Sequence, residues 1–331
     1  MLRFINTRTP LLFASLLVGL LLNFGITSIA LAQAYPTKAI RIVVPFAPGG
    51  TSDILARALG SKLTEAWGQP VLVENKAGAT GNVGADFVAK APADGYTLLL
   101  TDLSVLSINQ SVFTNMPYDG IKDFAPVIMV AYSPHALGVH PSVPVSSVKE
   151  LIDYAKTNPG KLNFAISGTG GAPHLAGIAF AQRTGINWAY IPYKGGSQAV
   201  ADVAAGQSNV IMNGMLATYP TIKSGRIKGL AVSSLHKVSS APELPTIAEV
   251  LPGFETGSYQ GIVAPSGTSS EVVAKLNAEI TRIMATQDMK DRLAAQGTEV
   301  RSSSPDALLN FLRAEKNRWA QVIKESGIKF D

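Results

Sequence analysis

The sequence predicts an α/β fold built as two units, on three observations. Short apolar runs rich in β-branched residues alternate with stretches of helical periodicity. Three of those runs open into glycine loops that lead into helices. The alternation changes texture around Ala125–Val139 and then begins afresh.

The chain is organised around Phe46-Ala-Pro-Gly-Gly-Thr-Ser-Asp53. The run Ile40–Val44 enters it, and a helix leaves it with Leu55, Leu59, Leu63 and Trp67 four apart on one face. The Pro/Gly turn between them lets the backbone bend sharply and expose N–H groups. Ser52 or Asp53 suits the helix N-cap. A strand, a glycine loop and a helix N-terminus make a site for an anion, because the first N–H groups lack intrahelical partners and the dipole is positive there. A plain strand-to-helix turn would read the same, so this stretch alone decides nothing.

Residues 1–34 read as a secretory signal peptide. Arg3 and Arg8 supply the basic start, Leu11 to Leu22 the apolar core, and Ala32-Gln33-Ala34 the small-x-small cleavage site. Asn23 and Gly25 break the run short of a membrane span. The segment holds no acid, so removing its two arginines takes the net charge from +5 to +3. The rest is long enough for two domains. With no cysteine, disulfides, thiolate metal sites and a lipid-bearing Cys at the cleavage point are excluded. A signal peptide without cysteine fits a bacterial periplasm. No Lys/Arg block interleaves with aromatics, so nucleic acid is not an expected partner.

In order, Ile40–Val44, a helix to Trp67 and Val71–Glu74 form a β-α-β unit. A helix over Gly81–Ala91, with Val83, Phe87 and Val88 as its apolar side, precedes a buried strand over Tyr96–Thr101. Alternating strands and helices imply a parallel sheet, with ligands beyond the carboxyl ends of the strands. That rule sets Gly49–Asp53 and Thr101–Ser104 on one edge. Val127–Val130 is a strand, Pro134 interrupts, and Ala136–Val139 resumes. Ser147-Val-Lys-Glu150 matches a capping box. Leu162–Ile166 leads into a second glycine loop, Ser167-Gly-Thr-Gly-Gly171, with Pro173 opening a helix. Trp188–Ile191 leads into a third, Tyr193-Lys-Gly-Gly-Ser197. Strands at Val210–Asn213 and Leu230–Ser233, a Pro-rich connection over Pro242–Phe254, a short strand Gly261–Pro265 and C-terminal helices complete the chain. If the two units face each other, three helix N-termini converge on one cleft.

Reactive constellations are missing. The motifs G-x-G-x-x-G, G-x-x-x-x-G-K-[ST] and G-x-S-x-G do not occur at the glycine loops. His135, His140, His174 and His236 have no metal-ligand spacing. His174, beside the second glycine loop, either contacts ligand or braces the helix start. No cofactor is expected. Glycine loops without a reactive group point to binding without turnover.

An ordered series of short motifs then carries a resemblance. The stretches are Tyr35-Pro-x-Lys-x-Ile40, Phe46-Ala-Pro-Gly-Gly-x-x-Asp53, Glu74-Asn-Lys-Ala-Gly78, Gly81-x-x-Gly84 and Ala93-Asp-Gly-Tyr-Thr-Leu98. They continue with Phe164 through the Ser167 loop to His174-Leu-Ala176, Pro192-Tyr-Lys-Gly-Gly196, Ile222-Lys-Ser-Gly225, Leu230-Ala-Val232, Leu251-Pro-Gly-Phe254 and Ala264-Pro-x-Gly267. The sequence resembles the extracytoplasmic solute receptors of tripartite tricarboxylate transporters, the Bug or TctC family. The resemblance implies two α/β lobes of the type II periplasmic-binding-protein kind, with a ligand cleft between them. It implies a small organic carboxylate as ligand, transporter permease subunits as partners, and no turnover. Its lobes are expected at 35–131 plus 257–331 and at 132–256, in a monomer.

The resemblance assigns ligand contact to Phe46, Gly49, Gly50, Thr51, Ser52 and Asp53 in the first loop. In the second lobe it assigns Tyr193, Gly195, Gly196 and Ser197, with Ser104, Ser167, Gly168, Thr169 and His174 reading the rest of the ligand. Asn213 stands where the family often has Asp, which disfavours an amino group on the ligand. Tyr259 stands where the family tends to have Trp. No Arg lies in the loops, so N–H groups and hydroxyls are the expected grip. The rival readings are a secreted α/β hydrolase-like enzyme and a ligand-sensing module that reports to a membrane kinase.

Overall fold

A computed structural model describes Met1 and residues 35–326. The signal-peptide reading therefore lies outside the described residues apart from Met1. Contacts divide the chain into two compact units, Met1–Thr37 and Lys38–Asp331; the second carries everything below. No described helix is long and apolar enough to cross a membrane.

The first unit of alternation is β1 (Ile40–Val44), α1 (Thr51–Trp67), β2 (Val71–Asn75), α2 (Asn82–Ala89) and β3 (Thr97–Asp102). Two short helices, α3 (Ser104–Ser107) and α4 (Asn109–Val112), lead to the long strand β4 (Phe124–Val139). A second alternation follows: α5 (Val148–Thr157), β5 (Asn163–Ile166), α6 (Ala172–Thr184), β6 (Ala189–Pro192), α7 (Gly196–Ala204), β7 (Val210–Gly214), α8 (Met215–Lys223) and β8 (Lys228–Val232). The chain ends in β9 (Gly257–Pro265), α9 (Ser270–Met284), α10 (Gln287–Ala294), β10 (Glu299–Val300) and α11 (Pro305–Ser326).

The sheet is mixed, where the sequence predicts parallel pairing. β1 pairs in parallel with β2 and β3, and β5 with β6 and β7. β9, however, runs antiparallel between β3 and β4, and β4 antiparallel to β7 and β8. These pairings join segments far apart in sequence, which alternation cannot report. Pro134 does not break β4. It stands opposite Gly257 at the last β9 pair, and His135 begins the pairing with β7. A residue without an N–H is tolerated where the partner strand changes.

Two apolar clusters lie on the two ladders. One gathers Val43, Val88, Leu99, Val263, Leu308 and Leu312. The other gathers Leu137, Phe164, Phe180, Trp188, Val210 and Leu230, with Phe164 against Trp188 at 4.6 Å. α2 differs from its predicted face. Val83 and Phe87 are exposed, whereas Val88 is buried as expected, together with Ala85. The cause is Gly84, where a Cβ would lie 2.7 Å from Pro45. The helix therefore packs on its small face against the first loop, and Lys76 covers Phe87 at 4.2 Å. The Ser147 cap forms as predicted from one side, accepting the Glu150 N–H at 3.1 Å, while the Glu150 carboxylate takes the N–H of Ser146 at 2.7 Å.

Candidate functional site

The first glycine loop is braced from behind. The helix begins two or three residues earlier than the capping preference predicts: Gly50 is the N-cap of α1, and Ser52 and Asp53 lie inside its first turn. Asp53, 3% exposed, turns back and accepts the N–H of Gly49 at 2.9 Å. It also takes Arg57 Nε at 3.0 Å and Asn75 Nδ2 at 2.9 Å. Burial pushes the Asp53 carboxyl up, but the hydrogen bonds from Arg57, Gly49 and Asn75 outweigh it and hold the group below the usual carboxylate range. The loop bends at Gly49, whose φ of +80° suits glycine.

Opposite it stands the third loop. Ser197 Oγ donates to the carbonyl of Pro48 at 2.6 Å. A Cβ on Gly195 would lie 3.0 Å from the Ala47 nitrogen. A Cβ on Gly50 would lie 4.0 Å from the Gly196 nitrogen. The second loop is clasped in the same way, since Thr80 Oγ1 donates to the carbonyl of Thr169 at 2.9 Å. Thr80 holds φ +52°, a conformation that costs a β-branched residue about 1–2 kcal/mol.

These loops line a cavity of about 40 Å³, room for about three waters or one carboxylate group. Of the expected contact residues, it brings together Phe46, Gly50, Thr51, Ser52, Ser104, Ser167, Gly196 and Asn213. Gly168, Thr169 and Tyr193 line an adjoining groove with Thr80 and Lys194. Gly49, Asp53, Gly195, Ser197 and His174 line neither. His174 Nδ1 accepts the N–H of Gly170 at 2.8 Å and its ring meets Tyr190, so it braces the second loop. Burial pushes its pKa down to about 4.

Four helices of nine residues or more begin at this cavity: α1 at Gly50, α6 at Gly171, α7 next to Gly196 and α8 at Gly214. Sequence reasoning finds three of them and misses α8. No Lys or Arg lines the cavity. The electrostatics are therefore those of converging helix dipoles and unpaired N–H groups.

Thr80, His135, Ser258 and Gln260 escape sequence reasoning, and Asp102 enters it only within the Thr101–Ser104 edge. Strand register sets four of them. Asp102 stands opposite Gln260, and His135 opposite Gly214. His135 is fully buried and its Nδ1 lies 3.1 Å from Thr256 Oγ1. Its Nε2 has no hydrogen-bond partner among the described residues. Burial pushes its pKa down to about 3, so the ring is neutral. An unpaired buried nitrogen costs about 1–3 kcal/mol, which a ligand atom can recover. A larger cavity of about 340 Å³ shares Asp102, Ser104 and Ala172 with the first. Tyr132, Tyr259, Phe311 and Trp319 supply its aromatic lining.

Comparisons with known proteins give the family of the chain. Residues 55–328 match the family described as the tripartite tricarboxylate transporter family receptor. The chain is 37% identical over 307 residues to Protein BugT of Bordetella pertussis, covering 92% of this chain and 94% of that one. Rpa4515 of R. palustris, solved with adipate, superposes with a TM-score of 0.87 at 37% identity, over 89% of this chain and 99% of the other. MatC of Rhodopseudomonas palustris, solved with bound malate, gives 0.83 at 29% identity, over 87% and 100%. The fold is the two-lobed α/β fold of periplasmic binding proteins, and the chain belongs to the tripartite tricarboxylate transporter receptor family.

Proposed function

We propose that this chain is a periplasmic receptor that captures a small organic carboxylate in the cavity and hands it to membrane permease subunits, without turnover. The carrying observation is the convergence of four helix N-termini on a cavity that no cation lines. The adipate and malate held by two relatives support the ligand class. The donors we assign are the N–H groups at Gly50–Ser52 and Gly196 and the Thr51 hydroxyl. Gly49 is left out because Asp53 takes its N–H, and the Ser197 hydroxyl because Pro48 takes its proton. We assign 35–131 with 257–331 to one lobe and 132–256 to the other.

A thermal-shift screen against mono-, di- and tricarboxylates tests the reading. A ligand that binds only the native state at a hundredfold excess over Kd raises stability by about 2.7 kcal/mol. A carboxylate in the series is expected to raise Tm clearly, and a flat response across all classes overturns the assignment. Export is tested separately. N-terminal sequencing of the periplasmic protein is expected to start at Tyr35, and an intact Arg3–Ala34 segment there refutes the processing.

A further inference from the structure

The floor of the small cavity holds a chain of four buried side chains. Ser52 Oγ donates to Gln260 Oε1 at 2.7 Å. Gln260 Nε2 donates to Ser258 Oγ at 2.6 Å. Ser258 Oγ donates to Asp102 Oδ2, and Asp102 Oδ1 accepts the N–H of Ser104 at 2.9 Å. The chain thus runs from the anion loop at the start of α1 to a carboxyl at the end of β3.

A hydroxyl has one proton to donate, and an amide has one donor end and one acceptor end. Such a chain has two self-consistent polarities. With Asp102 ionised, every donor points toward it, and Ser52 offers the cavity only lone pairs. With a proton on Asp102 Oδ2, the order reverses. The acid donates to Ser258 Oγ, and Ser258 donates to Gln260 Oε1 once the amide turns over. Gln260 Nε2 then donates to Ser52 Oγ, and the Ser52 O–H is released into the cavity. The first polarity repels an anion at the helix N-terminus, and the second binds it.

We propose that the cavity captures a carboxylate together with one proton taken up by Asp102, a positioning residue that acts on the ligand through Ser258, Gln260 and Ser52. The inference rests on the carboxylate reading above. Two carboxylates at one site hold a proton between them because both cannot ionise there. Burial raises the Asp102 pKa against the hydrogen bonds from Ser258 and Ser104, and the charge of Glu315 on α11 pushes the same way. The other groups near Asp102 do not supply the proton. Arg318, which lines the larger cavity with it, is paired to Glu315 at 3.1 Å. Glu255, before β9, adds only negative charge to that wall. His135 on β4 is neutral. Tyr132 and Tyr259 are held above the usual phenol range by burial.

Calorimetric titration with adipate and with malate, in buffers of different ionisation enthalpy near neutral pH, counts the protons. Uptake of about one proton per ligand is expected, with Kd rising by close to tenfold per pH unit. In Asp102→Asn, Nδ2 can donate to Ser258 as the acid does. That variant is expected to bind with no uptake and a Kd flat in pH. Ser52→Ala is expected to bind more weakly and with reduced uptake, and it serves if Asp102→Asn does not fold. Binding without uptake in the unmodified protein overturns the proposal alone. Uptake unchanged in both variants also overturns it, since the proton then sits on the ligand or elsewhere. Absence of binding by both probes, with a flat thermal-shift screen, removes the carboxylate reading and this inference with it.

Discussion

Gly50→Val is expected to weaken carboxylate binding by at least ~100-fold while leaving the protein folded. The backbone at Gly50 has φ −80°, which any residue adopts. The left-handed position of this loop is Gly49 instead, at +80°. A Cβ on Gly50 meets only ordinary contacts, 3.6 Å from the Ala47 carbonyl. The branched side chain, however, stands in a cavity of about 40 Å³ between Gly50 and the Gly196 nitrogen. It denies the ligand at least two N–H donors, and hydrogen bonds to a charged group contribute roughly 1.5–3 kcal/mol each. The change at the N-cap costs about 1 kcal/mol of stability at most. Ser52→Ala is expected to cost less affinity, because it leaves the backbone N–H donors in place and removes a hydroxyl whose proton goes to Gln260 Oε1. Lys194→Ala is expected to change affinity little. Its side chain is exposed in the adjoining groove, where salt screens a long-range charge. Calorimetric titration of the three variants decides. Loss of binding in Lys194→Ala with normal binding in Gly50→Val would mean that a side-chain cation holds the carboxylate.

Asp53→Ala is expected to destabilise the protein by about 2–4 kcal/mol, read by urea denaturation at neutral pH. The substitution leaves the Gly49 N–H and Asn75 Nδ2 without their buried acceptor. Arg57 is half exposed, so water compensates much of the lost ion pair, and the estimate rests on the buried donors. The pH dependence has a fixed sign. The folded-state pKa is depressed below the ordinary value of 3.8. The stabilisation is therefore fully present above that value and is lost as pH falls through the folded pKa. The difference between the unmodified protein and the variant is expected to shrink in acid. A variant within about 0.5 kcal/mol of the parent at neutral pH would show that the loop keeps its bend without the carboxylate.

The sequence alone determined the elements that carry the site. Each of its strand, glycine loop and helix signals is local. A β-branched run, a φ-permissive turn and a periodic apolar stripe lie within about 25 residues of one another. For that reason Phe46–Asp53, Ser167–Gly171 and Tyr193–Ser197 were legible as glycine loops that open helices, and their lack of Arg was legible with them. The ordered motifs were legible as a family for the same reason, since they sit in those same loops.

The tertiary structure decided the floor of the cavity and the division of labour within the loops. Ser258 reaches Asp102 across 156 residues, and Ser52 reaches Gln260 across 208. Both contacts depend on β9 running antiparallel beside β3. Antiparallel register is set by long-range packing, so no local pattern marks Gln260 or Ser258 as polar groups facing inward. His135 reaches the cavity because β4 passes from β9 to β7 at Pro134, a proline that reads locally as a strand end. Asp53 and Ser52 shared one capping signal in sequence. In space Asp53 turned to the Gly49 N–H and Arg57, while Ser52 turned to Gln260. The partner that each side chain found came from a distant strand or a neighbouring turn, and only folding brings those within hydrogen-bond reach.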